Sequence, residues 1–146
     1  MPSPEAANTN HTLGRVVLID DHPLIRRGLE RLIHSGNRFT VCGEAGTAAE
    51  GFKLLHDLRP DIVVLDISLP DKNGIELTKQ IVAKFPQMRV LILSMHDDAG
   101  HATRALKAGA TGYMVKNDAA ENIEVALEEV WHGRRYVSDS VAAQMA

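Results

Sequence analysis

A single cysteine, Cys42, in 146 residues rules out an internal disulfide, and the absence of any CxxC pair removes zinc and dithiol redox sites of that type. Long apolar runs are missing too. The longest, such as Ile62 to Leu65, are strand-sized, far below the roughly 20 residues that cross a bilayer as a helix, so no membrane span is expected. Residues 1–14 (MPSPEAANTNHTLG) have no basic region followed by an apolar stretch, so no secretory signal and a cytoplasmic location are expected; lacking any period, they read as a disordered lead-in. An excess of positive charge is also absent. The 16 Lys+Arg stand against 19 Asp+Glu, a formal charge of −3, which gives no general attraction to nucleic acid or anionic membrane. What is present is a globular composition, 45% hydrophobic and 24% charged, at a length that suits one domain.

From Arg15 onward, short β-branched runs alternate with amphipathic stretches. The runs are Arg15–Ile19, Phe39–Cys42, Ile62–Leu65, Val90–Leu93 and Gly112–Val115, and three of them are nearly continuous in Val, Ile and Leu, as strands buried on both faces of a parallel sheet must be. Helix signals fill the gaps. Pro23 opens the first helix, with Leu24, Ile25, Leu29, Leu32 and Ile33 on one stripe, and Gly36 closes it. A second runs from Ala48 to Leu58, a third from Gly74 to before Pro86, a fourth from the caps Asp97 and Asp98 to Gly109, and a fifth from Ala119 to His132. Five βα units predict an α/β fold with a five-stranded parallel sheet.

Ligands of open parallel sheets bind beyond the carboxyl ends of the strands, where strand order reverses. Asp20 and Asp21 follow the first strand, Asp66 the third, Ser94 the fourth and Lys116 the fifth. Each has an ordinary alternative: Asp21 as a helix-start acid, Asp66 as a turn residue, Ser94 as a cap, Lys116 as a solvated strand end. Their convergence on one edge points instead to a site. Carboxylates suit a hard cation such as Mg²⁺, and an ammonium with a hydroxyl suits phosphate oxygens. Carboxylates about 4 Å apart repel by roughly 4 kcal/mol at an effective dielectric near 20, so the cluster is expected to lean on Lys116, and one Asp to have a raised pKa when no metal is bound.

The runs VVLIDDHPLIRRGLERLI, PDIVVLDISLPDKNGIEL, VLILSMHDD and ALKAGATGYMVKN, in this order over residues 15–133, resemble a response-regulator receiver domain of two-component systems. The DDHPLIRRGL start and the Lys116-Asn117 junction are similar to the NarL/FixJ (LuxR-type) subgroup. The resemblance implies a flavodoxin-like (CheY-like) three-layer sandwich and a phosphorylation switch driven by a sensor histidine kinase. By position it implies Asp66 as phosphoacceptor and Asp21 as direct Mg²⁺ ligand. Asp20 would hold the metal through water and Ser68 would supply a backbone carbonyl to it. Ser94 and Lys116 would contact the phosphoryl group, and Tyr113 would be the aromatic switch that follows Ser94. Homodimerisation through the face of the fourth helix, fifth strand and fifth helix is an expected readout.

Asn117 stands where many receivers have proline, so a trans bond is expected after Lys116. The histidines show no zinc-ligand spacing; His96 and His101 read as loop and helix surface positions, and His22 as a structural neighbour of the acidic pair. Cys42 reads as a small buried hydrophobe, and Met95 and Met114 as packing residues. Trp131 and Tyr136 fit either packing beneath the last helix or contact with a further domain. Residues 134–146 resemble the linker to a helix-turn-helix output domain that is absent from this chain, and DNA would be reached only through such a domain. A stand-alone regulator and a phosphorylation-independent interaction module are the alternatives. A phosphatase of the haloacid-dehalogenase kind would need a second Asp two positions after Asp66, where Ser68 stands.

Overall fold

The computed structural model describes residues 12–145, and in it the Val/Ile/Leu runs form one parallel sheet. Its strands are β1 (Gly14–Ile19), β2 (Phe39–Ala45), β3 (Ile62–Asp66), β4 (Arg89–Ser94), β5 (Gly112–Val115) and β6 (Tyr136–Val137), in the order β2-β1-β3-β4-β5-β6. The helices are α1 (Pro23–Ser35), α2 (Ala48–Leu58), α3 (Gly74–Lys84), α4 (Ala99–Lys107), α5 (Ala119–Trp131) and α6 (Asp139–Met145). A 3₁₀ turn, Lys116–Asp118, joins β5 to α5.

Side chains alternate across a strand, and that alternation divides the interior in two. Val16, Leu18, Ile62, Val64, Leu91, Leu93 and Met114 face α1 and α5 through Leu29, Ile33, Ile123, Leu127 and Val130. Val17, Ile19, Val63, Leu65, Val90, Ile92 and Tyr113 face the other way, onto Leu55 of α2, Leu77 and Ile81 of α3 and Ala102 and Ala105 of α4. The result is the three-layer sandwich, with α1 and α5 on one face and α2, α3 and α4 on the other. The chain moves outward from β1 to β2 and then crosses back to β3, so strand order reverses between β1 and β3.

Capping holds the helix starts near that crevice. Thr47 Oγ1 accepts from the Glu50 amide at 3.1 Å, Asn73 Oδ1 from Ile75 at 2.7 Å and Asp98 Oδ2 from His101 at 3.0 Å. Of the two cap candidates before α4, Asp98 is therefore the one used.

The sheet has six strands where the sequence pattern predicted five. Tyr136 and Val137 pair with Gly112 and Tyr113 in a strand too short to register as a periodic run. The segment that reads as a linker thus contributes β6 and α6. Val141 is fully buried, Ser138 Oγ accepts from the Val115 amide at 2.9 Å, and Gln144 Nε2 donates to the Asp97 carbonyl at 2.9 Å. Trp131 packs edge-on to Phe39 with ring centroids 6.2 Å apart, and Tyr136 lies against the same core.

Leu24 departs from its expected stripe and is 78% exposed. Ile25, Leu29, Leu32 and Ile33 set the buried direction, and the row through Leu24 continues to Gly28 and Arg31, outside it. Of the lead-in, residues 1–11 lie outside the described residues, and Gly14 already belongs to β1. Cys42 is half-buried. Among the described residues no helix is long and apolar enough to cross a membrane.

Candidate functional site

Asp20 follows the last residue of β1, and Asp66 is the last residue of β3, the two strands between which the order reverses. Both carboxylates are almost fully buried, whereas Asp21 is exposed. Lys116, just beyond β5, reaches between them: its Nζ lies 3.1 Å from Asp20 Oδ2 and 3.1 Å from Asp66 Oδ2, with its side chain only 6% exposed. The expected dependence of the acids on Lys116 is thus present in the geometry. Asp66 Oδ1 accepts from the Ser68 amide at 3.1 Å. Asp20 Oδ2 has the ammonium beside it but no hydrogen bond of good geometry, a buried oxygen with bonding capacity to spare.

His22 completes the cluster. Its Nδ1 lies 2.8 Å from Asp20 Oδ1, 3.1 Å from Asp21 Oδ1 and 3.7 Å from Asp66 Oδ2. A proton shared between Nδ1 and the carboxylates holds the ring among the acids. The ring is about half exposed and can swing aside into solvent. Arg26 braces the pocket from α1, with Nη1 donating to the Asp20 carbonyl and Nε to Glu44 Oε1 at 3.1 Å.

Burial pushes the Asp66 carboxyl up from its ordinary value; the Ser68 amide opposes this, the nearby Asp20 charge adds to it and Lys116 works against it. A raised Asp was expected from mutual repulsion. Desolvation turns out to be the larger cause.

The oxygen donors Asp20, Asp21 and Asp66 gather within 4.8 Å together with His22, and the spare lone pairs on Asp20 Oδ2 give a hard cation something to bind. The donor set fits Mg²⁺, which needs one or two carboxylates and completes its shell with water and phosphate oxygens.

Ser94 ends β4 and is buried, its Oγ accepting from the His96 amide at 2.9 Å. Tyr113 is fully buried in β5, and its hydroxyl donates to the His96 carbonyl at 2.6 Å; burial raises its pKa. Both expected switch residues therefore bond to the same loop residue. Ser68 is exposed, and the Lys116–Asn117 bond is trans. Met114 packs as expected, while Met95 is 68% exposed, because the chain leaves the sheet after Ser94.

Two supporting positions had no clear sequence signal. Asp71, in the loop after β3, accepts from the Ala48 amide at 2.8 Å and the Ala49 amide at 3.0 Å, so it ties that loop to the start of α2; these bonds lower its pKa. Gly74 opens α3 against the backbone at the end of β3: a Cβ there would lie 2.4 Å from the Asp66 carbonyl oxygen and 2.7 Å from Ile67 Cα. His96 and His101 do occupy loop and helix positions, but their rings stack at 4.0 Å, 2° from parallel.

A buried acid pair at the strand-order reversal, with a lysine from beyond β5 between the two carboxylates, makes an acidic pocket at the carboxyl edge of the sheet. Residues 16–128 match the model of the response regulator receiver domain, and the chain belongs to that family. It is 33% identical over 132 residues to the response regulator GacA of Pseudomonas aeruginosa, covering 90% of this chain and 62% of GacA. It is 38% identical over 131 residues to the DNA-binding transcriptional activator DevR/DosR of Mycobacterium tuberculosis, covering 90% of this chain and 60% of the relative. The chain thus spans about three fifths of these relatives. A crystal structure of a LuxR-family two-component response regulator from Aurantimonas sp. SI85-9A1 superposes with a TM-score of 0.88 at 37% identity, covering 92% of this chain and 96% of the other. These likenesses place the chain in the LuxR-type (NarL/FixJ) subgroup.

Proposed function

We propose that Asp66 accepts a phosphoryl group from the phosphohistidine of a sensor kinase in the cytoplasm, and that the resulting charge switches the loop after β4. The observation that carries this reading is the buried Asp66 carboxylate, hydrogen-bonded on Oδ1 by the Ser68 amide and on Oδ2 by Lys116. The amide and the ammonium fix its orientation, and transfer demands mostly alignment and charge neutralisation. The ionised carboxylate oxygen attacks phosphorus; the new O–P bond forms as the P–N bond breaks, and the departing imidazole nitrogen keeps the electron pair and takes up a proton. Asp20, Asp21, Asp66 and the Ser68 carbonyl would hold Mg²⁺, which supplies charge neutralisation of the phosphoryl oxygens when bound. His22, whose ring is about half exposed, would leave its position among the acids for this.

Lys116 then contacts a phosphoryl oxygen, and the Ser94 hydroxyl turns toward another. Ser94 Oγ now accepts from the His96 amide and the Tyr113 hydroxyl donates to the His96 carbonyl, so both bonds respond when Ser94 moves. Phosphorylation therefore shifts the population of the loop between β4 and α4 and, with it, the face of α4, β5 and α5, through which a homodimer would form. The isolated RcsB receiver domain from Salmonella enterica serovar Typhimurium, of TM-score 0.83 and 25% identity, covering 90% of this chain and 97% of that one, was determined in the presence of the phosphomimetic BeF₃⁻, which supports phosphorylation as the trigger in this fold. Transcriptional output of the kind carried by the DNA-binding transcriptional activator DevR/DosR would need a DNA-binding domain joined to α6.

Incubation with acetyl phosphate and Mg²⁺ tests the reading. The expected product is a single phosphoryl mass gain that is acid-stable, labile to hydroxylamine and absent from Asp66→Asn. No adduct on the wild-type chain, or an equal adduct on Asp66→Asn, overturns it; steady turnover of phosphate esters would indicate the phosphatase instead.

A further inference from the structure

We infer that His96, Asp98 and His101 form a second metal site, selective for a borderline divalent transition ion of the zinc class and separate from the acidic pocket. The three side chains offer donor atoms that all lie within 4.8 Å of one another. Asp98 Oδ1 lies 2.7 Å from His101 Nδ1, while Asp98 Oδ2 accepts from the His101 amide at 3.0 Å. Oδ1 and Nδ1 are thus spaced much as two neighbouring ligands of one ion are, so an ion would take the place of the proton between them while Oδ2 keeps the helix cap. His96 comes from outside the helix and lays its ring flat on that of His101 at 4.0 Å.

An ordinary helix cap explains Asp98 and its i,i+3 pairing with His101, but it does not explain His96. A second imidazole brought from a loop onto the first makes a two-histidine, one-carboxylate set. Zinc–nitrogen bonds of about 2.0–2.1 Å allow two ligand atoms to sit up to about 4 Å apart, and rotation of the exposed His96 side chain closes the remaining distance. Nitrogen donors select Zn²⁺, Ni²⁺ or Cu²⁺ and discriminate against Mg²⁺, which demands oxygen; the oxygen ligands of the acidic pocket have the reverse preference. The exposed site leaves coordination positions open to water.

Its place gives the ion a lever. His96 donates its amide to Ser94 and accepts from Tyr113, so an ion holding the His96 ring also steadies the partner of both switch residues.

Zinc titration of the whole chain by calorimetry, in excess Mg²⁺, tests the site, with Co²⁺ absorption reporting nitrogen ligation. One Zn²⁺ is expected, bound about tenfold or more weakly after His96→Ala, His101→Ala or Asp98→Asn, the last of which keeps a capping oxygen and so preserves α4. Asp66→Asn and His22→Ala should retain it. The His96 amide should exchange with solvent about tenfold more slowly when Zn²⁺ saturates the site, and an unchanged rate would overturn the link to the switch residues. The inference is overturned if no Zn²⁺ binds, if binding survives both histidine variants unchanged, or if it is lost in Asp66→Asn or His22→Ala.

Discussion

Lys116 sets one positive charge against two buried carboxylates, and that imbalance governs the residue-scale behaviour of the pocket. Removing the ammonium leaves both acids uncompensated, so Lys116→Met should destabilise the fold by about 3 kcal/mol at neutral pH, read by urea denaturation. Asp66→Asn should do the opposite and raise stability by about 1 kcal/mol in Mg²⁺-free buffer, because a buried carboxylate that shares one ammonium with Asp20 costs more to desolvate than an amide. The acids also differ in how they respond to pH. Burial raises the Asp66 carboxyl, so its protonated form favours the folded state; that contribution is complete below the unfolded value near 3.9 and disappears as pH rises through the higher folded value. Asp71 and Asp98 are lowered by backbone amides they cap, so their contribution is present above the unfolded value and is lost as pH falls through the lower folded one. Carbon-detected NMR titration without metal should therefore find Asp71 and Asp98 below the ordinary range and Asp66 above it. Added Mg²⁺ should move Asp66 downward, and three ordinary carboxyls would contradict the account.

At the scale of elements, the strands and helices were legible because buried parallel strands need unbroken Val, Ile and Leu, and the helix stops are glycines and prolines. The strand-end residues were legible for the same reason: once the runs were placed, Asp20, Asp66, Ser94 and Lys116 followed from topology. Short or contact-defined features were not. β6 has two residues, and α6 is held by Ser138 and Gln144, whose partners are up to 47 positions away in the chain. The flat stacking of His96 on His101 depends likewise on how a loop returns over its helix. Ser138→Ala should cost about 1–3 kcal/mol, since it leaves the buried Val115 amide without an acceptor; a freely moving C-terminal segment would show no loss in thermal denaturation. Gly74→Ala tests the junction of loop and helix. Its methyl group meets backbone that cannot yield, so a loss of about 1–3 kcal/mol and slower adduct formation with acetyl phosphate are expected together.

Across the whole molecule, the two ends of the sheet are built differently. At the amino ends of the strands, the Arg15 amide donates to Asp61 Oδ2 at 2.8 Å, the Asp61 amide donates to the Arg15 carbonyl at 2.9 Å and the Arg89 amide to the Asp61 carbonyl at 3.1 Å, stitching β1, β3 and β4 together. At the carboxyl ends the links run through side chains that exchange partners. Rearrangement is thereby confined to the reactive edge, and hydrogen exchange should show the Arg89 amide better protected than the His96 amide. Pairing of Asp66 with Leu93 and of Ser94 with Val115 has a consequence for how such a chain tolerates changes in length. One residue added or lost inside β3 or β4 would turn acceptor and hydroxyl to opposite faces, whatever the substituted residue's chemistry. Natural length variation is therefore expected only where no strand has to slide, in the turns at the stitched end such as the one around Asn37.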